Sequence, residues 1–182
     1  MITDKNTIAR QKLQENVAEF IIYMYQMEDL IRVYNFELAD IRQYVIHHFP
    51  IEEKEKITIE SWFEDIMRRM DEQDIRERGH LVEVQAFVTE LLRVKEKLLT
   101  TDDEFAQVYN AARPHIRQSI QEAEGKIKSD IQACLNGVYG LLLCRMNNRE
   151  VPDELQEGLQ HFGNVLSYLS FRYKMDQFQN DN

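Results

Sequence analysis

Residues 109–142 read YNAARPHIRQSIQEAEGKIKSDIQACLNGVYGLL. Within them Tyr109, Ala112, Ile116, Ile120, Ala123, Ile127, Ile131, Cys134, Val138 and Leu142 follow one another at steps of three, four and four residues, three times over. A repeat of eleven residues corresponds to about 3.67 residues per turn, so the apolar stripe hardly drifts around a straight helix. The spacing predicts one long helix. Pro114, near its start, is either a kink or a fresh beginning, because proline suits a first helical turn.

The rest of the chain is read outward from that helix. Six glycines and three prolines in 182 residues are too few for a sandwich or barrel, which turns every ~8–12 residues. Upstream, Leu13, Val17, Phe20, Met24, Met27, Ile31 and Tyr34 mark one face of a first helix. Ala18, Ile22, Tyr25 and Val33 fill its back, as in a helix at the centre of a fold or against another chain. Leu38, Ile41, Val45 and Phe49 mark a second helix, which Pro50 stops. The charged run 51–60 reads as a connector. Thr58 or Ser61, the latter at capping-box spacing from Glu64, opens a third helix carrying Trp62, Ile66 and Met70, and Gly79 breaks the pattern. A fourth runs from Leu81 to Leu98, and Thr101 with Glu104 is a second capping box. Downstream, Asn147-Asn148 makes a turn and Pro152-Asp153-Glu154 a helical first turn. The sixth helix then presents Leu155, Leu159, Phe162, Leu166, Leu169 and Tyr173 on one face. Gly137, Gly140, Gly158 and Gly163 fall inside predicted helices, where they let neighbours approach closely. The expectation is an all-α, single-domain helical bundle of about six helices with a long fifth, spanning residues 1–178, with a frayed tail at 179–182.

Charge and composition exclude several function classes. A net charge of −10 argues against a phosphate-backbone partner, and segment 114–151 carries only five basic against four acidic residues, which is no basic stripe. The longest uncharged run, Ile131 to Cys144, falls short of the ~20 residues that cross a bilayer. Cys134 and Cys144, ten residues apart on one helix, lie too far apart to bridge. Free thiols and the lack of a secretory-type N-terminus point to a cytoplasmic setting.

No catalytic, cofactor or metal residues emerge from spacing. Glu77-Arg78-Gly79-His80 has Glu-x-x-His spacing, but a di-iron bundle needs the motif twice. His47 and His48 are adjacent and cannot share a face. A site drawn from His47 or His48 with His115 and His161 lacks two histidines four residues apart. Gly137-Val-Tyr-Gly140 is no phosphate loop, since lysine and preceding strand are missing. A small-molecule pocket between helices near these glycines stays open as a reading.

Two features remain as candidate sites. The first is the polar cluster Gln26, Glu28, Asp29 and Arg32 in an otherwise apolar helix, with Glu28 and Arg32 at i, i+4 spacing. Its readings are an edge salt bridge, a specificity device and a ligand site. The second is a candidate interface, Tyr168, Phe171, Met175 and Phe178, a second apolar face on the sixth helix. Either another helix of the same chain or a second copy covers it, since large apolar patches seldom stay exposed.

Residues 16–32, NVAEFIIYMYQMEDLIR, resemble the opening of an uncharacterised all-helical bacterial family of about this length, a domain of unknown function. The likeness centres on Tyr23–Arg32, with Gln26, Glu28, Asp29 and Arg32 as its polar positions. The resemblance implies a cytoplasmic helical bundle and draws attention to those four residues. It supplies no activity or cofactor. The functional expectation is a non-enzymatic, self-associating helical interaction protein of the bacterial cytoplasm, a homodimer. The alternative is a ligand- or metal-binding bundle, an enzyme included, whose small-molecule ligand is unknown.

Overall fold

The computed structural model describes residues 1–127 and 129–180, and Asp181 and Asn182 of the expected frayed tail lie outside them. Among the described residues there are eight α-helices and no strand: α1 (Thr7–Glu15), α2 (Val17–Val33), α3 (Leu38–Tyr44), α4 (Glu53–Glu72), α5 (Val82–Thr101), α6 (Asp103–Glu122), α7 (Asp130–Met146) and α8 (Asp153–Asn180). One turn of 3-10 helix, Ile46–His48, follows α3. The all-helical bundle stands; the expected count of about six helices with a long fifth is corrected to eight.

The long helix is two. α6 ends at Glu122, and the chain then turns through Glu124 and Gly125 with φ of +49° and +83°. Two successive residues in the left-handed region end a helix, and glycine takes that conformation without strain. Ser129 begins α7 by accepting the Gln132 N–H on its side chain at 3.1 Å. Ala123 and Ile127 therefore continue the apolar spacing through a turn, where both are half-buried. Pro114 neither starts nor ends α6 but lies inside it, exposed to solvent. Water can there satisfy the carbonyl that its missing N–H frees.

The first predicted helix also divides, at Asn16, into α1 and α2. Asparagine competes with helical hydrogen bonding through its own side chain. Asn6 begins α1, its side chain accepting the Ala9 N–H at 2.9 Å. The charged run 51–60 is helical from Glu53 onward. Its start is a capping box of Glu52 and Glu55, and not Ser61 with Glu64. Asp102, rather than Thr101, caps α6 by accepting the Phe105 N–H at 3.0 Å.

Contacts group the chain into two compact units, residues 1–15 with 19–86, and residues 16–18 with 87–182. In the first, α3, the 3-10 turn and α4 pack together, and Phe20, Ile21, Met24, Tyr25, Trp62 and Phe63 are among its fully buried side chains. In the second, α6, α7 and α8 pack pairwise around Phe105, Ala112, Ile116, Ile131, Cys134, Leu135, Val165 and Leu169. Residues 16–18 belong with this group; the Ala18 N–H donates to Ser170 Oγ at 3.2 Å.

Candidate functional site

Glycine spacing decides how closely α6, α7 and α8 approach. A Cβ on Gly137 would sit 2.6 and 2.9 Å from the Phe162 ring, and one on Gly158 would sit 3.1–3.2 Å from the His115 imidazole. These two glycines are points of close approach, as the sequence predicts. Gly140 and Gly163 are not, since a Cβ there meets nothing within 4 Å. Between the contact points the helices leave a cleft of about 330 Å³. Its wall is mostly apolar, with Leu141, Leu155, Leu159 and Phe162, and Gly137 and Gly140 form its floor on α7. Polar side chains line it too, among them His115, Ser119, Glu122, Asn136, Cys144 and Glu154.

At the edge of this cleft three side chains converge. His115 on α6 lies beside His161 on α8, ring centroids 5.5 Å apart and planes 22° apart. Glu157, one turn before His161, brings its Oε1 to 3.8 Å from His161 Nε2. One nitrogen or oxygen from each of His115, Glu157 and His161 lies within 4.8 Å of the other two. Spacing alone offers no second histidine four residues from His115 or His161. The i, i+4 partner of His161 is a glutamate, and only the packing of α6 against α8 adds His115. His47 and His48 instead sit exposed on the 3-10 turn.

The polar cluster of α2 performs a different task. Glu28 is fully buried. Its partner is not Arg32: Glu28 Oε2 meets His80 Nδ1 at 2.6 Å and Oε1 accepts the Leu81 N–H at 3.0 Å. Tyr25, one turn earlier, stacks on the His80 ring at 3.5 Å between centroids. Arg32 pairs with Asp29 at 2.8 Å and donates to the carbonyls of Ile75, Arg76 and Gly79 at 3.0, 3.1 and 2.5 Å. One face of α2 thus clasps the connection from α4 to α5, whose backbone enters positive φ at Asp74 and Gly79. Gln26, two positions from Glu28, is half-buried on another side of the helix. His80, set aside as half of an incomplete metal motif, is the residue that sequence reasoning missed. No local spacing links it to Glu28, 52 residues earlier.

A second buried polar group lies in the other unit. Lys95 Nζ and the Tyr109 hydroxyl each donate to Asp130 Oδ2 at 2.6 Å, and Lys95 also reaches Glu96 at 2.8 Å. Burial opposes the charge on Asp130, but hydrogen bonds from Lys95 and Tyr109 outweigh it and hold the carboxyl below the usual carboxylate range. Burial likewise opposes the charge on Lys95, and the Asp130 and Glu96 carboxylates overcome it and raise the ammonium. Burial pushes the Tyr109 hydroxyl up, and Asp130 adds to the shift. Burial also raises the Cys134 thiol, so that sulfur is a packed apolar group and no nucleophile.

On α8 the candidate interface splits. Tyr168 turns inward, its hydroxyl donating to Asp102 at 2.9 Å and its ring lying 5.3 Å from that of Phe105. Phe171, Met175 and Phe178 are 61%, 41% and 57% exposed. Leu166 and Leu169 on the same helix are by contrast buried. Among the described residues no helix is long and apolar enough to cross a membrane.

A family model described as "Domain of unknown function (DUF4924)" matches residues 6–180. No curated protein and no solved structure matches the chain.

Proposed function

From the premise that the chain belongs to the DUF4924 family of domains of unknown function, we propose that it binds a small, largely apolar molecule between α6, α7 and α8. The observation that carries this reading is the cleft of about 330 Å³, at the lower end of the size range of small-molecule sites. Its apolar wall would supply affinity, and His115 at one side, with other polar groups of the lining, contacts that orient the occupant.

Two glycines three residues apart provide the test. Gly140→Leu places a side chain where a Cβ meets no atom, on the cleft floor, and replaces a mid-helix glycine. It is expected to abolish saturable binding of 2-naphthol, followed by its fluorescence, while raising stability by up to about 1 kcal/mol. Gly137→Ala brings a similar gain in helix propensity but drives a methyl into the Phe162 ring. Overpacking there is expected to lower stability by about 1–3 kcal/mol. A wild-type chain that does not bind 2-naphthol, or binding that Gly140→Leu leaves intact, removes the reading.

The exposed stripe Phe171, Met175 and Phe178 favours a second reading, self-association as a homodimer. The occupant would be α8 of a second copy, because a stripe along one helix is self-complementary about a two-fold axis. Light scattering should give a dimer that Phe171→Asp dissociates; a wild type that stays monomeric at high concentration rules it out. Both readings are set in the bacterial cytoplasm, where the unpaired Cys134 and Cys144 suit a reducing compartment.

A further inference from the structure

We propose that His115, Glu157 and His161 together bind one divalent transition-metal ion of the zinc type, at the edge of the α6–α7–α8 cleft. The proposal stands on the convergence of the three side chains and goes beyond the binding of an apolar molecule.

The donor set is two imidazoles and one carboxylate. That combination suits zinc and its borderline neighbours, while magnesium and calcium prefer oxygen alone. Three protein ligands leave a fourth position for water or for a group on whatever enters the cleft. Zinc–nitrogen and zinc–oxygen bonds of about 2.1 Å place tetrahedral ligand atoms about 3.4 Å apart. The three atoms already lie within 4.8 Å of one another, and His161 Nε2 is 3.8 Å from Glu157 Oε1. Closing the set asks for side-chain rotation of about an ångström and no backbone movement. Glu157 has room to turn toward the imidazoles, because its side chain is 76% exposed.

The backbone is arranged around this convergence. Glu157 and His161 are one turn apart on α8, so their side chains share a face. Gly158 lies between them in sequence, and its missing Cβ is what admits His115 from α6; a methyl there would stand 3.1 Å from His115 Nδ1. The two imidazoles lie side by side, 5.5 Å between centroids, and a turn about their side-chain bonds would aim a nitrogen of each at one ion.

The test is a calorimetric titration of the chelator-treated full chain with zinc chloride, with magnesium chloride as comparison. One zinc ion per chain is expected, and no magnesium binding. His115→Ala, Glu157→Gln and His161→Ala should each weaken zinc at least about tenfold, as losing a ligand outweighs losing its supporting contacts. Glu157→Gln alters an exposed side chain and keeps its shape, so a weakened affinity in that variant is not an unfolding effect. Absence of zinc binding, or binding that all three substitutions leave unchanged, overturns the proposal. Gly140→Leu leaves the three ligands in place and should retain zinc while losing 2-naphthol. Failure of the metal site and failure of the cleft reading are therefore separate outcomes.

Discussion

Replacing Glu28 by alanine is expected to lower the free energy of unfolding by about 3–5 kcal/mol, read as a fall in the urea midpoint. Three losses coincide. The Leu81 N–H is left without its acceptor in a buried place, which alone costs about 1–3 kcal/mol. His80 loses its contact at 2.6 Å while still stacked under Tyr25. A void also opens where a fully buried side chain stood. Glu28→Gln keeps the shape and an oxygen for the Leu81 N–H, so its expected loss is smaller, about 1–2 kcal/mol. Faster hydrogen exchange at the Leu81 amide in Glu28→Ala would tie the loss to the clasp. A midpoint that barely moves would mean Arg32 and its three carbonyl contacts hold the α4–α5 connection alone.

Asp130→Ala is the next largest, with an expected loss of about 2–4 kcal/mol. It leaves the Lys95 ammonium, 8% exposed in its side chain, with Glu96 as its remaining ion-pair partner among the described residues, and that carboxylate is 70% exposed. The pH dependence follows from the shifts. Asp130 titrates lower in the folded chain than in the unfolded one, so its contribution is complete above about pH 4 and is lost as pH falls through the folded value. Lys95 and Tyr109 titrate higher when folded, so theirs are complete below about pH 10 and are lost as pH rises through the folded values. Urea midpoints measured against pH should show a plateau between those limits, with a shallower acid slope in Asp130→Ala. An acid slope unchanged by the substitution would place the acid sensitivity in other carboxylates.

Helix was legible in the sequence wherever an apolar face repeated, and its interruptions were not. Ala123 and Ile127 keep the spacing of 109–142 through a real break, because a turn between packed helices also buries its apolar side chains. Only Gly125 marked the stop, and glycine inside a helical pattern reads equally as a small residue at a crossing. The run 51–60 reads as a connector because its charges hide an apolar period, and the Glu52–Glu55 capping box inside it carries no serine or threonine to signal it. The candidate sites failed on distance along the chain. Glu28 was matched to Arg32, its nearest opposite charge on the helix, whereas its partner lies in a loop beyond two further helices. Glu157 with His161 was visible as an i, i+4 pair, but neither spacing nor composition could add His115 from α6. Tyr168 has the spacing of the exposed stripe, and the Asp102 cap beneath it draws it inward.

The hydrogen bond between Ala18 and Ser170 bears on the order in which the chain folds. It joins positions 152 residues apart, whereas Asn147–Pro152 alone separates α7 from α8. Closing the larger loop in an unfolded chain costs about 3 kcal/mol more in entropy than closing the shorter one. Helices α6 to α8, neighbours in sequence and packed on one another, make contacts of smaller sequence separation and are expected to form first. Residues 16–18 are synthesised well before α8, so during translation this contact waits for α8 to arrive.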